Sequence, residues 1–398
     1  MKTIRLVVFN EQYWGKGLIF TQNIVPLKNL ADTIGGKLEV YSFTSIPVYL
    51  CNKKAISKSI TYLNSIGVDV VNMFVMYYPT RYMLPYWFMF PYFYLNVSFY
   101  VRRLYKKDIN KDVVYNLRSY QSALAFLKFY KDHNKLVFDP RTDFVEEKIN
   151  AGYFGKDSLT VKIWNKITRK MVLSFKKTIV ISDIFKNNLV STYQIEDQSR
   201  IHILYNPIDY KKFDVPKIQH EGITFLYTGS LGKWNKLTNY IGVFKLFHER
   251  HPDSNFIICT NASPIHIDSV IKSPEYAYLS DFLEVHYNVP YDELPSYYAR
   301  CDYGFQLMNQ KDSRVGVKFI EYIAAGVVPI INKNVQGAVF LSEKYHLGVV
   351  LDGTESPDCI CSKIENAMKI DRMSESYRLF RYLTDTDTIC DRIKKIYL

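Results

Sequence analysis

Short hydrophobic runs alternate with amphipathic stretches along the chain, and they form two successive series. The first series predicts strands within the ranges 4–9, 37–43, 68–77, 112–117, 135–138, 178–182 and 200–209. The second series predicts strands within the ranges 223–227, 255–260, 283–287, 301–308, 327–331 and 348–351. Most intervals between these runs show the period of an amphipathic helix. Strands that alternate with helices are typical of parallel sheets, so we predict an α/β fold with two doubly wound, Rossmann-like domains.

A polar segment rich in lysine separates the two series at 210–221 and predicts a domain boundary. With 398 residues, the chain is longer than one hydrophobic core usually organises. We therefore expect an N-terminal domain over 1–209, a second domain over 222–375 and a C-terminal helical segment over 376–398.

The chain carries a formal net charge of +12, and its hydrophobic share of 48% is typical of globular proteins. An excess of positive charge favours polyanionic partners such as nucleotide phosphates, anionic lipid surfaces or nucleic acid. A compositional bias of the source towards lysine would give the same excess, so charge alone leaves these alternatives open.

The six cysteines lack the spacing of metal ligands, and we expect no metal site and no disulfides. Reduced cysteines fit a cytoplasmic protein. The apolar run at 4–9 is too short for the hydrophobic part of a signal peptide, and we interpret it as a buried strand.

An aromatic stretch at 82–101 contains no charged side chain. The basic residues that flank it are Arg81, Arg102, Arg103, Lys106 and Lys107. Its length would admit a membrane span, but two prolines interrupt it, and tyrosine and tryptophan prefer the bilayer interface. One interpretation is a helix that rests on an anionic bilayer surface. The other is a tyrosine-rich core helix of the first domain.

The stretch 314–332, RVGVKFIEYIAAGVVPIIN, combines a loop, a short helix and a buried strand. Gly316 and Val317 stand at the predicted helix start, where unpaired N–H groups and the positive end of the helix dipole favour an anion. Lys318 and Glu321 are three positions apart and share one helix face. A phosphate near the lysine and a sugar diol near the glutamate would satisfy both, although an ordinary surface helix fits the same pattern.

This run resembles the donor-site signature of the GT-B glycosyltransferases, in particular the retaining enzymes of family four. The resemblance implies two Rossmann-like domains that face a cleft, with a nucleotide diphosphate sugar bound by the second domain. It also implies that Lys318 and the amides of Gly316 and Val317 hold the diphosphate, and that Glu321 holds the ribose. A last helix within 376–398 is then expected to cross back to the first domain.

One position departs from the family pattern. Many members carry a glutamate eight positions before the ribose-binding one, where it contacts the transferred sugar. Ser313 occupies that position here, between Asp312 and Arg314. We include all three among the candidate donor-binding residues.

Glycine loops follow the first strand of both predicted domains. In the resembled family, the loop of the first domain faces the acceptor, which makes Gly15, Lys16 and Gly17 acceptor-side candidates. Glycine in such a turn also serves geometry alone. The loop of the second domain approaches the phosphates in the family. The matching candidates are Ser230, Lys233 and Lys236.

Charged residues stand at the predicted carboxyl ends of two strands in the first domain. Arg118, Asp139 and Arg141 are the candidate catalytic residues, because comparable segments of the family face the cleft. Asp143 shares this environment, but its spacing from Glu146 also fits a helix cap.

The resemblance implies transfer of a hexose from a nucleotide diphosphate sugar, with retention and without a metal or other cofactor. With the aromatic stretch, it implies a lipid-linked or polysaccharide acceptor in capsule, O-antigen (lipopolysaccharide) or exopolysaccharide synthesis. We then expect a cytoplasmic protein on the inner face of the cytoplasmic membrane, held through 82–107, without a nucleic-acid partner. Two alternatives are a GT-B nucleotide-sugar epimerase and a non-catalytic membrane-associated binding protein.

Overall fold

The computed structural model describes residues 2–9, 11, 17–76, 86–368 and 374–398. It divides into two compact units. The N-terminal unit comprises Met1–Pro207 together with Thr386–Leu398, and the C-terminal unit comprises Ile208–Asp385.

The N-terminal unit is built on a parallel sheet. Its strands are β1 (Thr3–Phe9), β2 (Lys37–Ser45), β3 (Val68–Val75), β4 (Val113–Arg118), β5 (Leu136–Asp139), β6 (Lys177–Val180) and β7 (Ile201–Ile203). Their order across the sheet is β3-β2-β1-β4-β5-β6-β7. The helices are α1 (Val25–Thr33), α2 (Ile46–Ser65), α3 (Phe90–Asp108), α4 (Ser119–Phe129), α5 (Phe144–Asn150), α6 (Leu159–Ser174) and α7 (Asp183–Tyr193).

The central strands β1 and β4 are buried on both faces, which fits their largely apolar sequences. Alternate residues of β1 enter two different hydrophobic clusters. Val7 and Phe9 pack in a cluster that also includes side chains of α3, α4 and α6. Leu6 and Val8 pack in the other cluster, which includes side chains of α1. The sheet therefore has helices on both sides, as a doubly wound fold requires.

The C-terminal unit is built on a second parallel sheet. Its strands are β8 (Thr224–Thr228), β9 (Asn255–Thr260), β10 (Leu283–Tyr287), β11 (Tyr303–Gln306), β12 (Val328–Asn332) and β13 (Val349–Leu351), in the order β10-β9-β8-β11-β12-β13. Its helices are α8 (Tyr210–Phe213), α9 (Leu237–His248), α10 (Pro264–Ile271), α11 (Leu294–Tyr298), α12 (Val317–Ala324), α13 (Gln336–Tyr345), α14 (Pro357–Ala367) and α15 (Glu375–Thr384).

The last helix, α16 (Thr386–Tyr397), belongs to the N-terminal unit and packs against α1. Ile389, Ile393 and Ile396 are buried in the same cluster as the apolar side chains of α1. The hydroxyl of Tyr397 accepts a hydrogen bond of 2.6 Å from Asn116 Nδ2, on β4. The end of the chain therefore completes a core that the beginning of the chain starts.

A buried ionic cluster fixes the carboxyl end of α3 to the sheet. Arg5 Nε donates to Glu39 over 2.7 Å, and Arg5 also bonds to Asp108 and to the hydroxyl of Tyr115. Burial alone would raise the pKa of Glu39, but the hydrogen bond and charge of Arg5 hold that pKa below its usual range. The cluster joins β1, β2, β4 and the last residue of α3.

The predicted fold class is confirmed, because both units contain parallel Rossmann-like sheets. Every strand range predicted from the sequence overlaps an observed strand. The segment after Asp209, expected to be a linker, contains the short helix α8, because Tyr210 and Phe213 are buried in the C-terminal unit. Helices α10 and α13 had no counterpart in the prediction.

Candidate functional site

The site in the C-terminal unit is organised by the packing of α12 on β11. Tyr303 and Phe305 of β11 point into the main core, and Gly304 and Gln306 take the opposite face. A Cβ atom on Gly304 would lie 2.4 Å from the ring of Tyr322, so only glycine admits the ring. The residue before α12, Gly316, lies so close to Gln306 that a Cβ atom there would be 1.9 Å from Nε2. These two glycines bring the helix start close to the strand end.

Lys318 lies across the first residue of the glycine loop after β8. Its Nζ donates to the hydroxyl of Tyr227 over 3.2 Å and stands 4.3 Å from the centre of that ring. A Cβ atom on Gly229 would approach Lys318 Cε to 2.6 Å, so a side chain there would displace the end of Lys318, and the φ of +121° at Gly229 favours glycine. Burial lowers the pKa of Lys318 to about 8, although the charge of Glu321 opposes this shift.

Glu321 is 4% exposed, one turn further along the same helix. Its Oε2 accepts a hydrogen bond of 2.9 Å from the hydroxyl of Tyr298. Burial raises the pKa of Glu321, and hydrogen bonds from Tyr298 and Tyr291 work against that shift. A carboxylate held by phenol hydroxyls keeps its orientation and remains able to accept bonds from a diol.

The glycine loop itself presents exposed polar groups. The carbonyl of Ser230 accepts from the Tyr227 hydroxyl over 2.6 Å, while the Ser230 residue is exposed. Lys233 and Lys236 are exposed. Asn309, after β11, donates to the carbonyl of Lys233 through its side chain over 3.3 Å. The glycine loop is therefore bonded to the segment after β11 through Asn309, and α12 reaches the start of the loop through Lys318.

The segment before α12 is held by its own ion pair. Asp312 accepts from the backbone N–H of Arg314 over 2.9 Å and from its Nη2 over 2.8 Å. Ser313 is buried, 6% exposed. The Asp312 carboxylate is thus engaged by a neighbouring guanidinium, and the position that carries glutamate in many family-four members here carries a small buried side chain.

The candidate catalytic residues of the N-terminal unit meet in a buried polar cluster at the carboxyl ends of its strands. Asp139, which ends β5, is 1% exposed and accepts from Asn23 Nδ2 over 2.7 Å. Arg141 Nη1 approaches Asp139 Oδ1 to 3.4 Å, and its Nη2 bonds to Asn206. Arg141 has a left-handed φ of 63°. Because the Asp139 carboxylate is almost fully buried and contacts Asn23 and Arg141, it can hold these two side chains in position.

Arg118, which ends β4, lies in the same cluster. Its Nε donates to Glu11 Oε2 over 2.7 Å, and its Nη1 bonds to Asn23. The second carboxylate oxygen of Glu11 is buried and has no partner among the described residues. Arg118, Asp139 and Arg141 are therefore brought together, as the strand topology suggested.

Other predicted residues have different surroundings. Gly15 and Lys16 lie outside the described residues. Gly17 is exposed, and its carbonyl accepts from the N–H of Phe20 over 3.0 Å. Asp143 accepts from the N–H of Glu146 at the start of α5, over 3.3 Å, so it is a helix cap. This was one of the two interpretations of its spacing.

Several polar residues of these clusters were not predicted. Glu11, Asn23 and Tyr298 stand far along the chain from their partners, and nothing in their local sequence distinguishes them.

The predicted aromatic stretch supplies a short 3-10 helix over Trp87–Met89 and the first part of α3, with residues 82–85 outside the described part. Phe93, Val97, Val101 and Leu104 face the core and are buried. Leu95 and Phe99 of α3 are 69% and 65% exposed, and Phe88, just before the helix, is 61% exposed. The exposed basic residues that follow are Arg102, Arg103, Lys106 and Lys107. We call these exposed residues, together with Trp87 and Tyr92, the aromatic–basic face.

Helix α3 thus packs on the core of the N-terminal unit through one face and leaves the other exposed, and its contact with a bilayer stays a prediction. In the described ranges, no helix has both the length and the apolar character needed to cross a bilayer. No group of three or more potential metal ligands occurs among the described residues.

Residues 210–380 match the family model described as Glycosyl transferases group 1. The matched range contains Lys318, Glu321 and the glycine loop. No curated protein sequence matches the chain significantly.

Solved structures share the fold over the whole chain. The lipopolysaccharide outer core galactosyltransferase WaaB in its apo form is 12% identical, with a TM-score of 0.67 and coverage of 99% of this chain and 98% of that chain. The Anabaena protein Alr3699/HepE in complex with UDP is 14% identical, with a TM-score of 0.63 and 99% of both chains covered. A putative UDP-N-acetylglucosamine 2-epimerase from Listeria monocytogenes is 10% identical, with a TM-score of 0.57 and coverage of 99% and 95%.

Proposed function

We propose that the protein transfers a hexose, with retention, from a nucleotide diphosphate sugar to a lipid-linked or polysaccharide acceptor. The observation that carries the proposal is the arrangement of α12. Lys318 reaches the glycine loop at the helix start, and Glu321 stands one turn further with its carboxylate held by Tyr298. One helix therefore offers a cation for a diphosphate and, one turn further, an acceptor for a ribose diol.

The donor is held by positive charge and backbone donors. Lys318 and the N–H groups of Gly316 and Val317 bind the diphosphate at the positive end of the α12 dipole. Lys233, Lys236 and the hydroxyl of Ser230 supply further charge and a donor from the loop side. These groups stabilise the leaving nucleotide diphosphate electrostatically, so we propose a metal-independent transfer.

Transfer requires an acceptor hydroxyl oriented towards the anomeric carbon, with water excluded. We propose that Arg118 and Arg141 of the N-terminal unit contact the acceptor, and that Asp139 keeps Arg141 in place. Gly15, Lys16 and Gly17 are proposed acceptor-side residues. On the sugar side, Asp312, Ser313 and Arg314 would line the donor, with the small Ser313 leaving room for a water or a sugar substituent.

The donor site is tested by thermal shift with a panel of nucleoside diphosphates and their sugars. One nucleotide should stabilise the wild type, and Glu321→Ala should lose that stabilisation because the ribose loses its acceptor. Glu365→Gln is the matched control in the same unit, since Glu365 forms a surface pair with His251. Failure of every nucleotide to stabilise the wild type would remove both the transferase and the epimerase hypotheses.

We further propose that the aromatic–basic face holds the protein on the inner face of the cytoplasmic membrane, where a lipid-linked acceptor in capsule, O-antigen or exopolysaccharide synthesis is found. The exposed aromatic and aliphatic side chains at the beginning of this face would insert at the level of the lipid headgroups. The basic side chains from Arg102 to Lys107 would attract anionic lipid. Exposed Phe74, at the end of the neighbouring β3, extends the apolar area: its carbonyl accepts from the Tyr100 hydroxyl over 2.7 Å.

Liposome sedimentation tests this face. Leu95→Ser with Phe99→Ser should release the protein from vesicles containing anionic lipid, and Arg102→Gln with Arg103→Gln should weaken binding by about 2 kcal/mol, at about 1 kcal/mol per basic residue. Ile265→Ser, at an 83% exposed position of the C-terminal unit, is the control. Sedimentation unchanged by the two serines would contradict the membrane proposal.

A nucleotide-sugar epimerase is the second candidate, because a putative UDP-N-acetylglucosamine 2-epimerase shares the fold and such an enzyme would use the same donor groups. Product analysis separates the two. An epimerase changes the donor sugar without any acceptor, whereas a transferase releases the nucleotide diphosphate in step with glycosylated acceptor.

A further inference from the structure

Asn23 is the side chain that joins the proposed acceptor-contacting residues of the N-terminal unit. Its Nδ2 donates to Asp139 Oδ2 over 2.7 Å, and its Oδ1 accepts from Arg118 Nη1. Asp139 in turn lies against Arg141. Asn23 is 3% exposed, so water cannot take over these bonds. One buried amide therefore sets the relative position of two guanidinium groups.

The backbone at Asn23 is unusual. Phe20–Ile24 forms a single π-helical turn that leads directly into α1. A π turn is wider than an α turn, is rare, and occurs frequently at functional sites. Asn23 and Ile24 are the buried residues of this turn. The neighbouring Gln22 also reaches Arg118, with Oε1 at 3.4 Å from Nη1. The turn thus directs two consecutive amides at one arginine.

We propose that Asn23 is a positioning residue for glycosyl transfer, acting through Arg118 and, by way of Asp139, through Arg141. This rests on the proposed function of the protein. Asn23 acts on the acceptor side only, because its partners all belong to the N-terminal unit. It therefore governs turnover of the bound donor, while the groups on α12 govern donor binding.

Steady-state kinetics of the full chain test the proposal. Asn23→Leu removes both bonds at similar volume and should lower kcat by about 100-fold, the cost of a small misplacement of reacting groups. The KM for the donor should change by less than about threefold, because the substitution leaves the proposed donor-binding groups of the C-terminal unit unchanged. Asn23→Asp keeps the acceptor for Arg118 and loses the donor to Asp139, and kcat should fall by about tenfold or more.

Asn96→Leu and Asn96→Asp are the matched controls. Asn96 is also a buried asparagine of the N-terminal unit, and its Nδ2 donates to the Tyr92 carbonyl over 2.9 Å. The proposal stands if the Asn23 variants have a much lower kcat than the Asn96 variants while the KM for the donor is unchanged. Equal kcat values in the two series overturn it. If Asn23→Leu does not fold, Asn23→Asp against Asn96→Asp decides by the same comparison.

A structural readout separates this inference from the proposed function. If the wild type binds donor but forms no product, glycosyl transfer itself fails. The crystal structure of the Asn23→Leu or Asn23→Asp variant then decides the positional role, since the guanidinium of Arg118 should leave its wild-type position. A guanidinium that stays in place overturns the proposal.

Discussion

The two proposed donor-binding side chains of α12, Lys318 and Glu321, are both held in surroundings that disfavour their charges. Burial lowers the pKa of Lys318 to about 8 and raises the pKa of Glu321. A lysine in this state gains its full charge when an anion arrives, because the negative charge of the ligand favours the protonated form. Ligand and proton therefore bind together when the pH is above the pKa of the free lysine.

This linkage predicts the pH dependence of nucleotide binding. Below about pH 8, Lys318 of the free protein is protonated and affinity is level. Above that pH the free lysine is neutral, so the affinity for a nucleoside diphosphate should fall by about tenfold per pH unit until the pKa of the bound form is reached. Calorimetric titration between about pH 7 and 9.5 measures it.

Lys318→Arg is the control for this experiment, because a guanidinium keeps its charge throughout the range. The pH profile of Lys318→Arg also reports any titration of the nucleobase of the ligand. A wild-type profile parallel to that of Lys318→Arg would show that Lys318 is not the group that takes up the proton.

At the scale of elements, the contact between β11 and α12 places the site. Gly304 receives the ring of Tyr322, whose hydroxyl donates to the Phe305 carbonyl over 3.1 Å. The backbone of Tyr322 belongs to α12 and its hydroxyl bonds to β11, so this fully buried side chain is held at both ends. Any side chain on β11 at this point would move the helix start, and with it Gly316 and Lys318, away from the strand ends.

Gly304→Ala should therefore destabilise the protein by about 1–3 kcal/mol, the usual cost of overpacking. It should weaken nucleotide binding as well, because the displaced helix carries Lys318. Gly232→Ala is the control, since a Cβ atom at Gly232 meets nothing within 4 Å. Thermal unfolding and nucleotide titration of both variants measure the two effects, and equal stability of the two variants would contradict the packing argument.

At the scale of the whole molecule, the chain returns to its starting unit. Helix α16 follows the C-terminal unit in sequence but is counted with the N-terminal unit. Its buried isoleucines share a cluster with side chains of β1 and α1. The last residues also reach the Asn23 cluster indirectly, since Asn116 Nδ2 donates to the Tyr397 hydroxyl and lies 3.5 Å from Asp139 Oδ2.

Ile393→Ala should lower the free energy of unfolding by about 2–5 kcal/mol, because the side chain is 2% exposed and its loss leaves a cavity. Hydrogen exchange should show reduced protection in β1 and α1, with β8 to β13 unaffected. Ile265→Ala, at an exposed position, should leave both regions unchanged. Equal loss of protection in both units would show that α16 is not specific to the first.

Much of the fold could be predicted from the sequence, and the reason is local. Apolar runs and helical periods are written within each segment, so strands such as Leu283–Tyr287 were predicted with their observed bounds. The α12 site was predictable for the same reason, since Gly316, Lys318 and Glu321 lie within six residues of chain. Helices α10 and α13 show only a weak helical periodicity of apolar residues, so the sequence did not predict them.

The partners of these residues were decided by the tertiary structure. Lys318 bonds to a tyrosine 91 positions away, and Asn23 bonds to an aspartate 116 positions away. Such pairs form only when parallel strands bring their carboxyl ends to one edge of a sheet, and no local pattern encodes which side chains then meet. The same holds for burial: the sequence determined an aromatic helix, and packing on the core decided which of its faces stays exposed.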